Sequence, residues 1–368
     1  MIRRVALVSP YALSVPGGVQ EQVLAMSREL SSRGHDVLVV APDSADHRSY
    51  DTPARVARFG RRVSLPANGS RAPITLSPRA ARAARDTVAA FDPGVVHFHE
   101  PFAPLVGWAA LVSHRAPAVA TLHRSGEGPA VRWTRPLLTR LARGVDVTAA
   151  VSDAAAATMG NASGLDATVL FNGLETERFT TTPRERGGEP LIVVLGRLEQ
   201  RKGQATAIEA VRAHNEVAAH PWRLAVVGDG PERARLEALA AHDERVTFAG
   251  AVGDSERRAW LRRAHVVVAP SLRGESFGLV LLEAMASESS VVASDIPGYR
   301  AAAGGHARLV APGDAGALAR AIGEALDEET PARIADARRH VEAWSMHRLM
   351  DEYERLYVDA AERFGTTR

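Results

Sequence analysis

The chain has 368 residues, 24% of them charged and 46% hydrophobic, a formal net charge of +2 and no cysteine. That length exceeds one ordinary core and points to about two domains, and the composition is that of a soluble globular protein. The near-neutral balance argues against a nucleic-acid binder, the lack of cysteine excludes disulfides and thiolate metal sites, and no apolar run approaches the ~20 residues that span a bilayer. Val5 enters a strand with no signal-peptide pattern before it, so a cytoplasmic location is expected.

Val5 to Val8 is a short apolar strand and Val37 to Ala41 the next. Between them Val19, Val23, Met26 and Leu30 share one face of a predicted helix, so the segment is a strand–helix–strand unit with parallel strands. Gly94–Phe98, Ala118–Leu122 and Asp146–Val151 continue the pattern with helices between. Thr180 to Pro190 has no apolar residue beyond proline and glycine and reads as a linker.

The pattern then restarts with Leu191–Leu195, Arg223–Val227, Val246–Phe248, His265–Ala269 and Ser290–Ala293. The expected fold class is α/β, with two doubly wound halves and a cleft at the carboxyl ends of their strands, where such sheets bind ligands. The expected domains are residues 1–182, 183–345 and a final helical segment, 346–368, whose helix runs from Met346 to Phe364.

Gly274-Glu275-Ser276-Phe277-Gly278-Leu279-Val280-Leu281-Leu282-Glu283 carries the strongest chemical signal. Gly278 to Leu282 reads as a helix start, so the backbone N–H groups of Phe277, Gly278 and Leu279 are candidates for an anion such as a diphosphate. Glu283 sits in an apolar run, and a buried carboxylate there needs a partner. Arg197 and Lys202 follow the strand Leu191–Leu195 and would project from its carboxyl end, as diphosphate ligands or as a solvated loop. Arg201 is read as a surface charge, and Asp295 as a cap or packing residue. Gly17 and Gly18 follow the first strand, either for close backbone approach to a ligand or for a tight turn alone. His123 ends a strand; His97 and His99 share a face of another, beside Glu100, without a third metal ligand in a firm geometry.

These segments carry a resemblance. Glu275 and Glu283 in the form E-S-F-G-L-V-L-L-E, with Gly17-Gly18, His123, Gly196-Arg197 and Arg201-Lys202-Gly203, resemble the E-x7-E pattern and companion motifs of the retaining GT-B glycosyltransferases of family 4, over roughly Val5 to Trp344. Ser9-Pro10-Tyr11, Val15 to Gln20 and Val96 to Pro101 are similar to the phosphatidyl-myo-inositol mannosyltransferases of actinobacteria. Asn172-Gly173 with Glu177-Arg178-Phe179 looks like the family's lead into its linker, although Leu174-Glu175 stands where Val-Asp is usual.

The resemblance implies a GT-B fold, two Rossmann-like domains facing a deep cleft, with the last helix crossing back to the first. It implies transfer of a hexose, foremost mannose from GDP-mannose, to a phosphatidylinositol-type lipid. It places His123 beside the reacting sugar carbon, Glu275 on the sugar hydroxyls and Glu283 on the ribose. Arg197 and Lys202 fall on the diphosphate, with Gly18, Phe277, Gly278 and Leu279 also on the donor side, and Tyr11, Ser14, Gly17 and Arg124 on the acceptor side. No cofactor is required and no protein-held metal is expected; a divalent cation could at most assist. Ser14 stands where the subfamily usually has an acidic residue, and His123-Arg124-Ser125 replaces its His-Thr-Ser. Arg79, Arg82 and Arg85 share a helix face that, with Arg61, Arg62 and Arg71, could meet the anionic inner leaflet as a peripheral protein. The alternatives are a UDP-sugar donor with a soluble glycan or small-molecule acceptor, a non-hydrolysing UDP-sugar epimerase and a non-catalytic nucleotide-sugar binder.

Overall fold

A computed structural model describes residues 2–367 apart from 16, 44, 48, 68–69, 104–105, 114, 124–128, 181–186, 242 and 276. The chain divides into two compact units, Met1–Gly173 with Met346–Arg368, and Leu174–Ser345.

The first unit contains β1 (Arg4–Val8), α1 (Gly18–Ser32), β2 (Asp36–Pro42), β3 (Arg55–Phe59), β4 (Val63–Ala67), β5 (Ser70–Ile74), α2 (Pro78–Phe91), β6 (Val95–His99), α3 (Val106–Ser113), β7 (Ala118–Leu122), α4 (Pro129–Ala142), β8 (Val147–Ala150), α5 (Asp153–Ser163) and β9 (Thr168–Val169). Its main sheet runs β3-β2-β1-β6-β7-β8-β9 with parallel pairing throughout, and β4 and β5 form a separate antiparallel hairpin. Val5 to Val8 and all of β6 are buried, as central parallel strands covered on both faces must be. The order reverses between β1 and β6, so the loops after those strands flank the point where such sheets bind ligands.

The sequence reading has no strand between residues 42 and 94, where β3, β4 and β5 lie. β3 is an edge strand with arginines at both 55 and 58 and only partial burial, so it lacks the apolar run that marks its neighbours.

The second unit contains β10 (Leu191–Leu195), α6 (Gln204–Asn215), β11 (Arg223–Val227), α7 (Arg233–Ala240), β12 (Val246–Gly250), α8 (Asp254–Arg263), β13 (Val266–Ala269), α9 (Leu279–Ala286), β14 (Ser290–Ser294), α10 (Pro297–Ala303), β15 (Arg308–Val310), α11 (Ala315–Asp327) and α12 (Pro331–Glu342). Its parallel sheet runs β12-β11-β10-β13-β14-β15, reversing between β10 and β13. The expected division at residue 182 compares with the observed one after Gly173: Leu174 and Phe179 are buried in the second unit's core.

The last helix, α13 (Met346–Thr367), belongs to the first unit. Met346, Leu349, Met350, Tyr353, Tyr357 and Ala360 recur at helical spacing and pack into the cluster that holds Val5, Leu7, Val39 and Val119. Gly173 lies so close to it that a Cβ there would come 2.9 Å from Met346 Cα. The Gln22 side chain holds Gly173 from the other side, donating to its carbonyl at 2.7 Å and accepting its N–H at 3.1 Å.

Candidate active site

In the second unit the loops after β10 and β13 meet. Glu275 Oε1 lies 2.5 Å from Lys202 Nζ and 3.0 Å from Arg201 Nη1, and accepts from Ser271 Oγ at 3.3 Å. Arg201 also donates to the Gly274 carbonyl at 3.2 Å and, through Nε, to Glu199 Oε2 at 2.9 Å. Glu199 Oε1 lies 3.1 Å from Arg197 Nη2. Opposite charges therefore alternate along Arg197, Glu199, Arg201, Glu275 and Lys202, three cations to two carboxylates. The expectation that Arg201 is a surface charge is corrected: it is a second cation on Glu275. Arg197 has 53% of its side chain exposed and Lys202 has 21%, so their charges are not locked away.

Gly203 makes this approach of loops possible. It is left-handed at φ +69, and a Cβ there would sit 2.0 Å from the Pro270 carbonyl oxygen. The Arg201 carbonyl accepts the Leu272 N–H at 2.8 Å beside it. Ser271 Oγ and Tyr299 Oη are 2.8 Å apart, so the Glu275 carboxylate is braced from behind as well. Burial, and the nearby negative charge of Glu275, push the Tyr299 phenol up, so it stays a neutral hydroxyl.

Glu283, on α9, is buried and finds its partner in Arg257 of α8, whose Nη1 lies 2.5 Å from Glu283 Oε1. Arg257 Nη2 reaches Asp254 Oδ1 at 3.0 Å, and Asp254 also pairs with Arg258 and, at 3.1 Å, with Arg178. The Glu283 charge raises the Arg257 guanidinium further above its ordinary value despite its burial. Burial pushes the Asp254 carboxyl up, but Arg257, Arg258 and Arg178 together outweigh it and hold it below the usual range. Sequence reading asked for a partner to Glu283 without naming it, because Arg257 is 26 residues away.

The N-cap of α9 is Gly278, left-handed at φ +79, which has no side chain to cap the first N–H groups. A Cβ there would come 2.9 Å from Tyr299 Cδ1. Phe277 packs edge-on to Trp344, ring centres 5.2 Å apart, which fixes the turn leading into the helix. Phe277, Gly278 and Leu279 thus stand at a helix start beside the Glu275 loop, where an anion is favoured.

In the first unit, Tyr11, Ser14, Gly17 and Gly18 lie in the loop after β1 and at the start of α1. Ser9 Oγ donates to the Tyr11 carbonyl at 3.0 Å and accepts its N–H at 3.2 Å, shaping the turn. Ser14 Oγ donates to Asp43 Oδ2 at 2.7 Å, and Arg62 Nε lies 3.4 Å from the same oxygen. Asp43, beyond the end of β2, is buried and left-handed at φ +84, and nothing in the sequence reading singled it out. Gly17 is the N-cap of α1 in extended backbone, without a side-chain cap bond. Arg124 lies outside the described residues.

His123 follows β7 and completes a row of imidazoles. His97 and His99 stack with ring centres 4.5 Å apart, and His99 Nδ1 lies 3.0 Å from His123 Nε2. The Glu100 carboxylate accepts the His123 backbone N–H. His97 meets Tyr357 Oη at 2.9 Å and Thr121 Oγ1 at 2.7 Å, and Thr121 Oγ1 lies 2.8 Å from Tyr353 Oη. The row thereby runs from α13 to the end of β7. Burial lowers His97 to about 3 and His123 to about 4, and takes His99 well below its ordinary value, so all three are neutral at physiological pH. Among the described residues no three His, Cys, Asp or Glu side chains group to hold a metal ion, and no helix is long and apolar enough to cross a membrane.

On α2, Ser77 Oγ caps the helix by accepting the Ala80 N–H at 3.2 Å, with proline at the first turn. Arg79 and Arg82 are exposed, and Arg85 pairs with Asp86 at 2.6 Å. Val63, Leu65 and Leu76, on the hairpin and just before α2, are also exposed. The side chain of Arg71 lies outside the described residues.

Residues 16–178 match the family description Glycosyltransferase Family 4, and residues 189–328 match Glycosyl transferases group 1. The chain is 34% identical over 381 aligned residues to a phosphatidyl-myo-inositol mannosyltransferase of Mycobacterium leprae, covering 98% of each chain. It is 36% identical to that of Mycolicibacterium smegmatis, over 86% of this chain and 80% of the relative. Among solved structures it resembles a sucrose-phosphate synthase from Thermosynechococcus elongatus (TM-score 0.73, 22% identity, 96% of this chain and 98% of the other). It also resembles Anabaena HepE in complex with UDP and glucose (TM-score 0.70, 18% identity, 96% and 99%). These two likenesses carry the fold alone.

Proposed function

The chain belongs to the family 4 glycosyltransferases of GT-B fold, next to the phosphatidyl-myo-inositol mannosyltransferases, and on that premise we propose that it moves mannose from GDP-mannose to a phosphatidylinositol-type lipid. The observation that carries the reading is 34% identity to such an enzyme across 98% of both chains. The Glu275–Lys202–Arg201 cluster and the uncapped start of α9 support a nucleotide-diphosphate donor on the second unit.

In the proposed reaction Glu275 holds sugar hydroxyls and Glu283 the ribose. Lys202, Arg201 and Arg197 face the diphosphate, whose charge grows as the bond from sugar C1 to phosphate oxygen breaks. Cations already held by Glu275 and Glu199 need no reorganisation to meet that charge. The bond from C1 to the acceptor oxygen forms on the same face, with retention, and the acceptor proton passes to the departing diphosphate. On the acceptor side, Asp43 brings a carboxylate to 2.7 Å from Ser14 Oγ, where the subfamily usually has an acidic residue, and this supports a polyol head group. Exposed Arg79, Arg82 and Arg61 with Val63, Leu65 and Leu76 support peripheral contact with an anionic inner leaflet.

The test is turnover of GDP-mannose, UDP-glucose and UDP-N-acetylglucosamine, each with and without phosphatidylinositol, by wild type and Glu275→Ala. Mannosylated lipid from wild type only, with retained configuration by NMR, is the expected result. A UDP-sugar turned over with no response to the lipid would replace both donor and acceptor while leaving the family intact.

A further inference from the structure

His99 is 1% exposed, and its two ring nitrogens have different surroundings. Nδ1 lies 3.0 Å from His123 Nε2, within hydrogen-bond distance, with ring centres 5.3 Å and ring planes 27° apart. Nε2 is buried and has no partner among the described residues. Burial keeps His99 neutral, with His97 and His123 adding to the effect, so it carries one N–H and one lone pair. A proton on Nε2 would be an orphaned donor in the interior; a proton on Nδ1 is shared with His123. Orphaned N–H groups are the rarer outcome.

We propose that His99 is a positioning residue: its Nδ1–H donates to His123 Nε2, fixes His123 as the Nδ1–H tautomer and so presents an N–H to the transferred sugar. The tautomer of an imidazole is set by the bond its other nitrogen makes. The main chain at His123 is fixed independently by the Glu100 carboxylate, so both the origin and the edge of the ring are determined. With Nε2 occupied, His123 serves as a hydrogen-bond donor to a hydroxyl or ring oxygen and not as a base. This deepens the proposed function and rests on the place that the family resemblance gives His123, beside the reacting sugar carbon.

The experiment is a two-bond proton–nitrogen correlation spectrum of the uniformly nitrogen-15-labelled full chain, with His123→Phe to identify the His123 signals. Wild type is expected to show a protonated Nδ1 and a bare Nε2. His99→Phe should shift His123 toward the Nε2–H form, and His99→Gln, whose amide still donates, should keep Nδ1–H. In acceptor-free hydrolysis of GDP-mannose, His99→Phe should lose roughly tenfold in kcat at unchanged KM, the worth of about one hydrogen bond, and His99→Gln should recover most of it. An Nε2–H tautomer for His123 in the wild-type spectrum overturns the proposal, and His123→Gln identifies the same signals should His123→Phe not fold. A confirmed tautomer with unchanged His99→Phe turnover removes the role in the reaction. Failure of wild type to consume GDP-mannose would refute the donor reading, while the spectra still decide the tautomer.

Discussion

Lys202 Nζ lies 2.5 Å from Glu275 Oε1, and that contact ties the loop after β10 to the loop after β13 at the reversal point of the second sheet. A carboxylate and an ammonium from different strand ends hold each other in place before any ligand arrives. Arg201 shares the same oxygen, so removing Glu275 releases two cations at once.

Glu275→Ala and Lys202→Ala should each lower kcat/KM by roughly 10²–10³, the usual loss for one preorganised electrostatic contact. The double variant should lose much less than the product of the two, because groups acting as a unit are not additive. A double-mutant cycle on GDP-mannose turnover checks this; strict additivity would mean the pair does not act together.

Arg257 is the sole basic partner of Glu283 among the described contacts, and Glu283 is buried. Arg257→Met leaves that charge unpaired and should cost about 3–5 kcal/mol of stability. Adding Glu283→Gln should restore much of the stability but not nucleotide affinity. Thermal unfolding and calorimetric titration with GDP separate the two effects. Equal GDP affinity in the double variant and wild type would remove Glu283 from the donor site.

The central strands of the two main sheets and the E-x7-E segment were legible because buried parallel strands are continuous apolar runs and because Glu275 and Glu283 belong to one short segment; the edge strands β3, β9 and β15 and the β4–β5 hairpin lack such runs and were not. The partners were not. Arg201 looked solvated since sequence spacing cannot show that Gly203 brings its loop against Pro270. Arg257 and Asp43 sit 26 and 29 residues from the groups they pair with, and only the sheet order brings them near. His97 and His99 were visible as same-face residues of β6, but His123 joins them only because β7 lies beside β6.

Gly203→Ala tests that loop contact directly. The Cβ would sit 2.0 Å from the Pro270 carbonyl oxygen, at a backbone φ of +69 that L side chains avoid. Strain at one such residue costs about 1–3 kcal/mol, and relieving the clash must part the two loops. Turnover should fall together with the melting temperature, whereas Gly187→Ala, with open space around it, should change neither. Wild-type activity in Gly203→Ala would show that the cluster tolerates separation.

The imidazole row predicts how stability responds to acid. His97 and His123 titrate near 3 and 4 in the folded protein and His99 lies well below its ordinary value, all lowered first by burial. The unfolded chain, with histidines near 6.5, binds more protons between these limits, so stability rises with pH inside that window and levels off above it. Falling from pH 6.5 toward 4, each neutral histidine removes at most about 1.4 kcal/mol per pH unit, the full slope being reached only between its unfolded and folded values. The groups packed around the row are Thr121, Tyr353, Tyr357 and the Glu100 carboxylate, and the two tyrosines are themselves held neutral by burial. Urea unfolding at pH 7 and pH 5 should therefore show a clear loss for wild type. His97→Phe should be weaker at pH 7, having lost its bonds to Tyr357 and Thr121, yet show a smaller loss between the two pH values. An undiminished pH dependence in that variant would mean the proton uptake lies elsewhere in the chain.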